Sequence, residues 1–234
     1  MQFQHADEIW RDFPELVPGV LYVNGISRDV PADSAERTGK FLAIAESRLA
    51  ARPESEMPEI QAWRRAFARM GLKPTQYRCA AESLLRRFRK EGTLPRLHPL
   101  VDVCNAISMA FAVPVAAFDL ARITGYLEVR HASGGERYLT FSGEVEHPEA
   151  GEVIFADEAG RAHARRWTNR QSGHSAVRDD TSVVLIVAEA VHSAAPEDVP
   201  RLTAAIAEAV AGTWSSEAVT ATLSRSAPRF DLPE

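Results

Sequence analysis

The 234-residue chain is 45% apolar, enough to fill a core in one large domain, and its two cysteines are too few to staple a secreted framework. No stretch approaches the roughly 20 uninterrupted apolar residues of a membrane span, and MQFQHADEIWRDFPEL has neither the basic start nor the apolar run of a signal peptide. A globular, cytoplasmic protein is expected, without a membrane partner. The formal net charge of −5 argues against indiscriminate nucleic-acid binding, which depends on cations displacing phosphate counterions.

That average conceals an asymmetry. From Arg64 to His98 ten Lys or Arg face only Glu82 and Glu91, a local +8 that leaves −13 for the remainder. This region either meets an anion or carries a solvated cationic face.

In chain order, PGVLYVNGI (residues 18–26) has strand composition between turn formers and reads as the first strand. PADSAERTGKFLAIAESRLAARP follows as a helix, capped by Asp33 or Ser34 and ended by Pro53. In MPEIQAWRRAFARMG the spacing of Ile60, Trp63, Phe67 and Met70 predicts a helix ending at Gly71. PTQYRCAAESLLRRFRKEG predicts another, opened by Pro74 and closed before Gly92, with Leu84, Leu85 and Phe88 inward. Its outer face carries Arg78, Arg86, Arg87, Arg89 and Lys90.

PLVDVCNAISMAFAVP reads as a helix buried nearly all round, in which Asp102 and Asn105 are the odd residues. Beyond Pro114, the segments GYLEVRHA, ERYLTF, GEVIFADEAG, AHARRWTN and TSVVLIVAEAV are short and β-branched or aromatic, which predicts strands. A last helix spans Pro196 to Ala211, with Val199, Leu202, Ile206 and Val210 on one stripe. The sum over residues 1–234 is a single α+β domain: helices mainly in the N-terminal half, a mixed or antiparallel sheet in the C-terminal half.

Several chemistries lack their residues. The seven histidines are scattered, without the helical His pair or CxxC that presets zinc ligands, so no metal is expected. There is no GxSxG elbow and no phosphate-binding glycine loop, and Cys79 and Cys104 read as reduced, buried thiols within helices. ASGGE reads as a hairpin connection or, less simply, a ligand cradle. Two clusters remain. Asp102 and Asn105, three apart on one helix face, either cap backbone or line a polar cavity, because unpaired burial costs a few kcal/mol. ARRWTNRQSGHS (residues 164–175) sets Arg165, Arg166 and Arg170 around Trp167, Asn169 and Gln171. It is either a nucleotide or carboxylate site or a strand end with a core tryptophan.

LVDVCNAISMAFAVPVAAFDLARITGYLEVRHASGGERYLTFSG resembles the B3/B4 domain of the phenylalanyl-tRNA synthetase beta subunit. The matching residues are Asp102, Val103 and Asn105; Pro114, Ala117, Phe118 and Asp119; Gly125, Val129 and Arg130; and Gly135 with Glu136. The likeness is strongest over residues 95–190, and the first 95 residues look like those of free-standing members. In the synthetase this domain is an editing site that hydrolyses tyrosine wrongly esterified to tRNA for phenylalanine. The resemblance therefore implies a tRNA-binding domain, with aminoacyl-tRNA as partner and no cofactor.

The family's pocket asparagine falls on Asn105, while Ala116 stands where the family has histidine, and RRWTNRQSGHS replaces a glycine-rich stretch and an acidic residue. An aminoacyl ester is already activated, so a pocket that orients water and stabilises the oxyanion can hydrolyse it without a conventional base. On this reading Asn105, Arg166, Asn169 and Gln171 are the catalytic candidates. Asp102, Arg130, Trp167 and Arg170 bind substrate, and Arg78, Arg86, Arg87, Arg89 and Lys90 hold tRNA phosphates. A trans-acting editing hydrolase is expected first, then a non-catalytic tRNA-binding module, then a binder of amino acids or nucleosides.

Overall fold

The computed structural model describes residues 1–31 and 34–233. Its first half holds β1 (Gln2–His5), α1 (Asp7–Asp12), β2 (Val17–Asn24), α2 (Ser34–Ala51), α3 (Pro58–Arg69), α4 (Ala80–Glu91) and α5 (Pro99–Phe111). β3 (Val115–Asp119), β4 (Tyr126–His131), β5 (Arg137–Leu139), β6 (Val145–Glu146) and β7 (Val153–Asp157) follow. The chain continues with β8 (Arg161–Arg165), β9 (Arg170–Gln171), β10 (Val183–Ala190), α6 (Ala195–Trp214), β11 (Ala218–Thr222) and β12 (Arg229–Asp231).

The strands form two sheets rather than one. An eight-stranded sheet runs β12-β1-β4-β7-β8-β5-β6 with β9 paired to β8, and a four-stranded sheet runs β11-β2-β10-β3. Both recruit strands from the first half of the chain, so the expected division into helical and sheet halves is only partial. β1 precedes the segment expected to be the first strand. It pairs parallel with β4 and antiparallel with β12, burying Phe3 and His5 while Gln2 and Gln4 keep the stretch polar in sequence.

Period-two alternation along β10 divides the core. Val184, Ile186 and Ala188 face α5 and α6, joining Leu100, Ile107, Val199 and Ile206. Leu185 and Val187 face the other way, toward Phe155 and Val129 of the larger sheet and Trp63 of α3. α6 lies so close on β2 that a Cβ at Gly19 would come within 2.6 Å of the Thr203 and Val199 side chains. Glycine is required there for close approach, not for its backbone freedom.

α4 begins at Ala80, not Pro74. The turn before it ends with Cys79 in extended conformation at the N-cap, and the Ala80 N–H is held by Thr168 O at 2.8 Å. Cys79 is thus a cap residue, and it and Cys104 are buried free thiols, both pushed up to about 12 by burial. Of the two expected caps of α2, Asp33 lies outside the described residues. No helix among the described residues is long and apolar enough to cross a membrane.

Candidate functional site

β8 and β9 form a hairpin in which Ala164 pairs with Gln171 and Arg165 with Arg170. Its connection places Arg166 and Trp167 consecutively at φ 47° and 56°, the left-handed region that costs a non-glycine residue about 1 kcal/mol or more. Three hydrogen bonds hold the turn in that conformation. Arg166 N–H donates to Glu152 Oε1 at 2.9 Å, Trp167 N–H to Val153 O at 2.7 Å, and Trp167 Nε1–H to Glu189 Oε1 at 2.9 Å.

This turn borders a cleft of about 60 Å³ between the two sheets. Trp167, Asn169, Arg170 and Gln171 line it on one side, Pro114 to Ala116 on another, with Phe155, Val187 and Glu189 completing the walls. Glu189 follows Leu185 and Val187 in the alternation of β10 and therefore points between the sheets. It is 2% exposed, and the Oε1 that accepts from Trp167 also meets His5 Nε2 at 2.7 Å. Nothing in the sequence reading singled it out. The available signal was a lone acid in the apolar strand VVLIVAEA.

The structure separates residues that the sequence grouped. Asn105 and Asp102 line a different cleft, of about 110 Å³, against Thr38 and Leu42 of α2 and Thr93 and Arg96 of the preceding loop. Asp102 Oδ1 accepts from Leu97 N–H at 3.0 Å, a local backbone contact. Asn105 therefore does not face Asn169 and Gln171. Arg166 leaves the site as well, because its left-handed backbone turns the guanidinium outward over the Tyr77 ring at 4.7 Å, beside Glu149 and Gly151.

Trp167 is fully buried, edge-on to Trp63 at 4.9 Å and Phe13 at 4.7 Å. It forms a wall of the cleft and offers no free face for stacking, so the core-tryptophan alternative describes it. Arg130 is also committed elsewhere: its Nη1 donates to Glu136 Oε1 at 2.6 Å and to His131 O at 2.9 Å. Glu136 folds back over ASGGE to accept from the Ser133 and Gly134 N–H groups, so this turn is closed by a carboxylate and does not join paired strands.

Among the remaining candidates, Asn169 Nδ2 donates to Arg78 O at 2.7 Å and Gln171 Nε2 to Ala117 O at 2.6 Å. Among the described residues each spends one amide N–H and keeps the other. Arg170 Nη1 lies 3.3 Å from Glu146 Oε2, with its guanidinium over Tyr138. Arg165, which shares that Glu146, is buried and bidentate with Glu152 at 2.9 and 2.8 Å.

The basic band is partly neutralised. Glu54 and Glu82 are 2% and 1% exposed, and arginines converge on each. Arg89 holds Glu54 at 2.7 Å with Arg86 at 3.9 Å, while Arg64 and Arg78 flank Glu82. Arg87 pairs with Glu91 at 2.8 Å, and Lys90 is exposed. The arginines of α4 thus anchor the helix as well as charging its surface.

One arrangement imitates a nucleophilic triad. Ser175 Oγ lies 2.8 Å from His163 Nδ1, and His163 Nε2 lies 3.3 Å from Asp157 Oδ2. Ser175 and His163 have no exposed surface and Asp157 has 2%, so no substrate reaches the hydroxyl. The trio is a buried polar network.

The model of the B3/4 domain matches residues 62–205, more than half of the chain. The phenylalanine--tRNA ligase beta subunit of Cereibacter sphaeroides is 28% identical over 145 residues, 61% of this chain and 18% of that one. The beta subunit of Nocardia farcinica is 36% identical over 77 residues, 33% and 9% of the respective chains. The chain thus spans less than a fifth of the length of these curated relatives. An N-terminal fragment of the phenylalanyl-tRNA synthetase beta-subunit from Pyrococcus horikoshii superposes with a TM-score of 0.51. The superposition covers 94% of this chain and 53% of that one at 11% identity, a likeness of fold. With the cleft, its hairpin wall and β10 all inside the matched segment, the chain belongs to the B3/4 domain family.

Proposed function

We propose that this B3/4 domain protein binds the aminoacyl end of tRNA and hydrolyses the ester of a mis-acylated one, with the amino acid held in the cleft between the sheets. The observation that carries the reading is the composition of that cleft. Phe155, Val187 and Trp167 give apolar walls for a side chain, and Glu189 places a carboxylate among them. The phenylalanine ligase beta subunits that the chain resembles act on aminoacyl-tRNA chemistry by name, which supplies the substrate class.

The chemistry asks little of the protein. An ester needs an oriented water and donors for the developing oxyanion, not a strong base. Asn169 and Gln171 supply those donors through the amide N–H that each has not given to backbone. Glu189 accepts from a donor on the amino acid, since its Oε2 takes no protein hydrogen bond among the described residues. The charged face of α4 holds phosphates of the acceptor end, positioning tRNA without reading sequence.

The test is release of amino acid from a panel of correctly charged and mischarged tRNAs by wild type, Glu189→Gln and Asn105→Ala. Turnover of a mischarged species, lost in Glu189→Gln and kept in Asn105→Ala, is expected. Loss in Asn105→Ala alone would move the site to the cleft against α2. Absence of wild-type turnover with salt-sensitive tRNA binding would leave a binding module, a reading favoured by Ala116 offering no base to the cleft.

A further inference from the structure

We propose that Glu59, His192 and Asp198 form a divalent-cation site that fastens α3 to the junction of β10 and α6. The ligating atoms of the three side chains all lie within 4.8 Å of one another. They come from three places: the first turn of α3, the residue two beyond the end of β10, and the first turn of α6. His192 Nε2 lies 3.0 Å from Asp198 Oδ2, with the imidazole 5% exposed and the carboxylate 20%.

The orientation of the two carboxylates is specific. Glu59 gives Oε1 to Arg48 at 2.7 Å, and Asp198 gives Oδ1 to Arg201 at 3.4 Å. The other Asp198 oxygen, Oδ2, is the one beside His192. Glu59 Oε2 is buried and accepts no hydrogen bond among the described residues, although a buried carboxylate oxygen ordinarily finds a donor. One oxygen from each carboxylate and an imidazole nitrogen, each carboxylate also paired with a guanidinium, match the ligand shell and outer shell of a cation.

The donor set selects the class of ion. One imidazole with two carboxylates suits a borderline first-row cation such as Zn²⁺, whereas Mg²⁺ and Ca²⁺ favour oxygen alone. Ligands about 2.1 Å from zinc lie about 3.4 Å apart in tetrahedral geometry, so spacings here of up to 4.8 Å close by at most about 1.4 Å on binding. Glu59 stands more than 130 positions before its partners, so no short motif reveals the set.

The experiment is equilibrium dialysis of the EDTA-stripped full chain against Zn²⁺, with bound metal counted per protein. Wild type is expected to hold one equivalent and to gain thermal stability from it. Glu59→Gln, which keeps an oxygen for Arg48, and His192→Gln are each expected to weaken binding at least tenfold. His131→Gln, at a half-buried histidine elsewhere, is expected to retain the equivalent. If either ligand variant misfolds by circular dichroism, visible absorption of Co²⁺ bound to wild type reports four-coordination directly. No stoichiometric Zn²⁺ binding by wild type, or binding that survives Glu59→Gln, would overturn the site.

Discussion

Trp167 donates its indole N–H to Glu189 across the gap between the two sheets, so one wall of the cleft is hydrogen-bonded to the acid in the opposite wall. His5 meets the same oxygen, which commits two residues from distant parts of the chain to one carboxylate. Glu189→Ala leaves the indole and the imidazole facing a void, a loss of about 3 kcal/mol by the usual cost of breaking a buried charged network. Glu189→Gln keeps the shape and an acceptor and is expected to cost less than half as much. Urea unfolding of the two variants checks the ordering, which reverses if Glu189 is a burden on the fold.

Ser175→Ala separates the buried imitation triad from catalysis. The substitution removes the partner of His163 Nδ1 inside the protein and is expected to lower stability by about 1 to 2 kcal/mol. Any ester hydrolysis by the protein is expected to stay within twofold of wild type. A thousandfold loss of hydrolysis without loss of stability would make Ser175 a nucleophile after all.

Much of the architecture was legible because its signals are local. The stripe of Val199, Leu202, Ile206 and Val210 marks α6, and all four residues are fully buried there. β1 escaped because QFQH offers two buried positions in four residues and gains its pairing from β4 and β12, far along the chain. The site was half legible: the TNRQ stretch does border the cleft, yet Asn105 stands elsewhere and Arg130 and Arg166 are spent on Glu136 and Tyr77. Composition proposes which side chains are polar. Only tertiary pairing decides which of them remain available, and Glu189 gains its place from the phase of β10, which no short motif encodes.

The α4 cations divide by what they touch, and salt dependence exposes the division. Lys90 is exposed and Arg87 pairs with Glu91 one turn away, so Lys90→Ala and Arg87→Ala are expected to leave stability within about 0.5 kcal/mol. Removing one cation that holds a phosphate lowers the slope of log affinity for tRNA against log salt by about 0.7 to 0.9. Arg89→Ala additionally strips the 2.7 Å partner from buried Glu54 and is expected to cost about 1 to 2 kcal/mol of folding. Slopes from filter binding at several salt concentrations check the first claim, and an unchanged slope in all three variants would remove α4 from the tRNA surface.

Glu136 makes the fold acid-sensitive in a defined window. Burial alone would raise its carboxyl, but the Ser133 N–H and the Arg130 guanidinium outweigh burial and bring it down to about 2, from an ordinary value of 4.5. A folded-state value below the unfolded one means that the unfolded chain binds the proton more readily, so stability grows with pH across the interval. The contribution, about 3 kcal/mol at most, is fully present above about pH 4.5 and is lost as pH falls through the interval toward 2. Arg130→Met removes the guanidinium while keeping the packing of the stem, which moves the carboxyl upward and flattens this part of the acid limb. Unfolding free energies of wild type and Arg130→Met between pH 6 and 2 are therefore expected to differ most at pH 6 and to converge toward pH 2. Parallel curves across the whole range would mean that Arg130 supports the turn by packing rather than by charge.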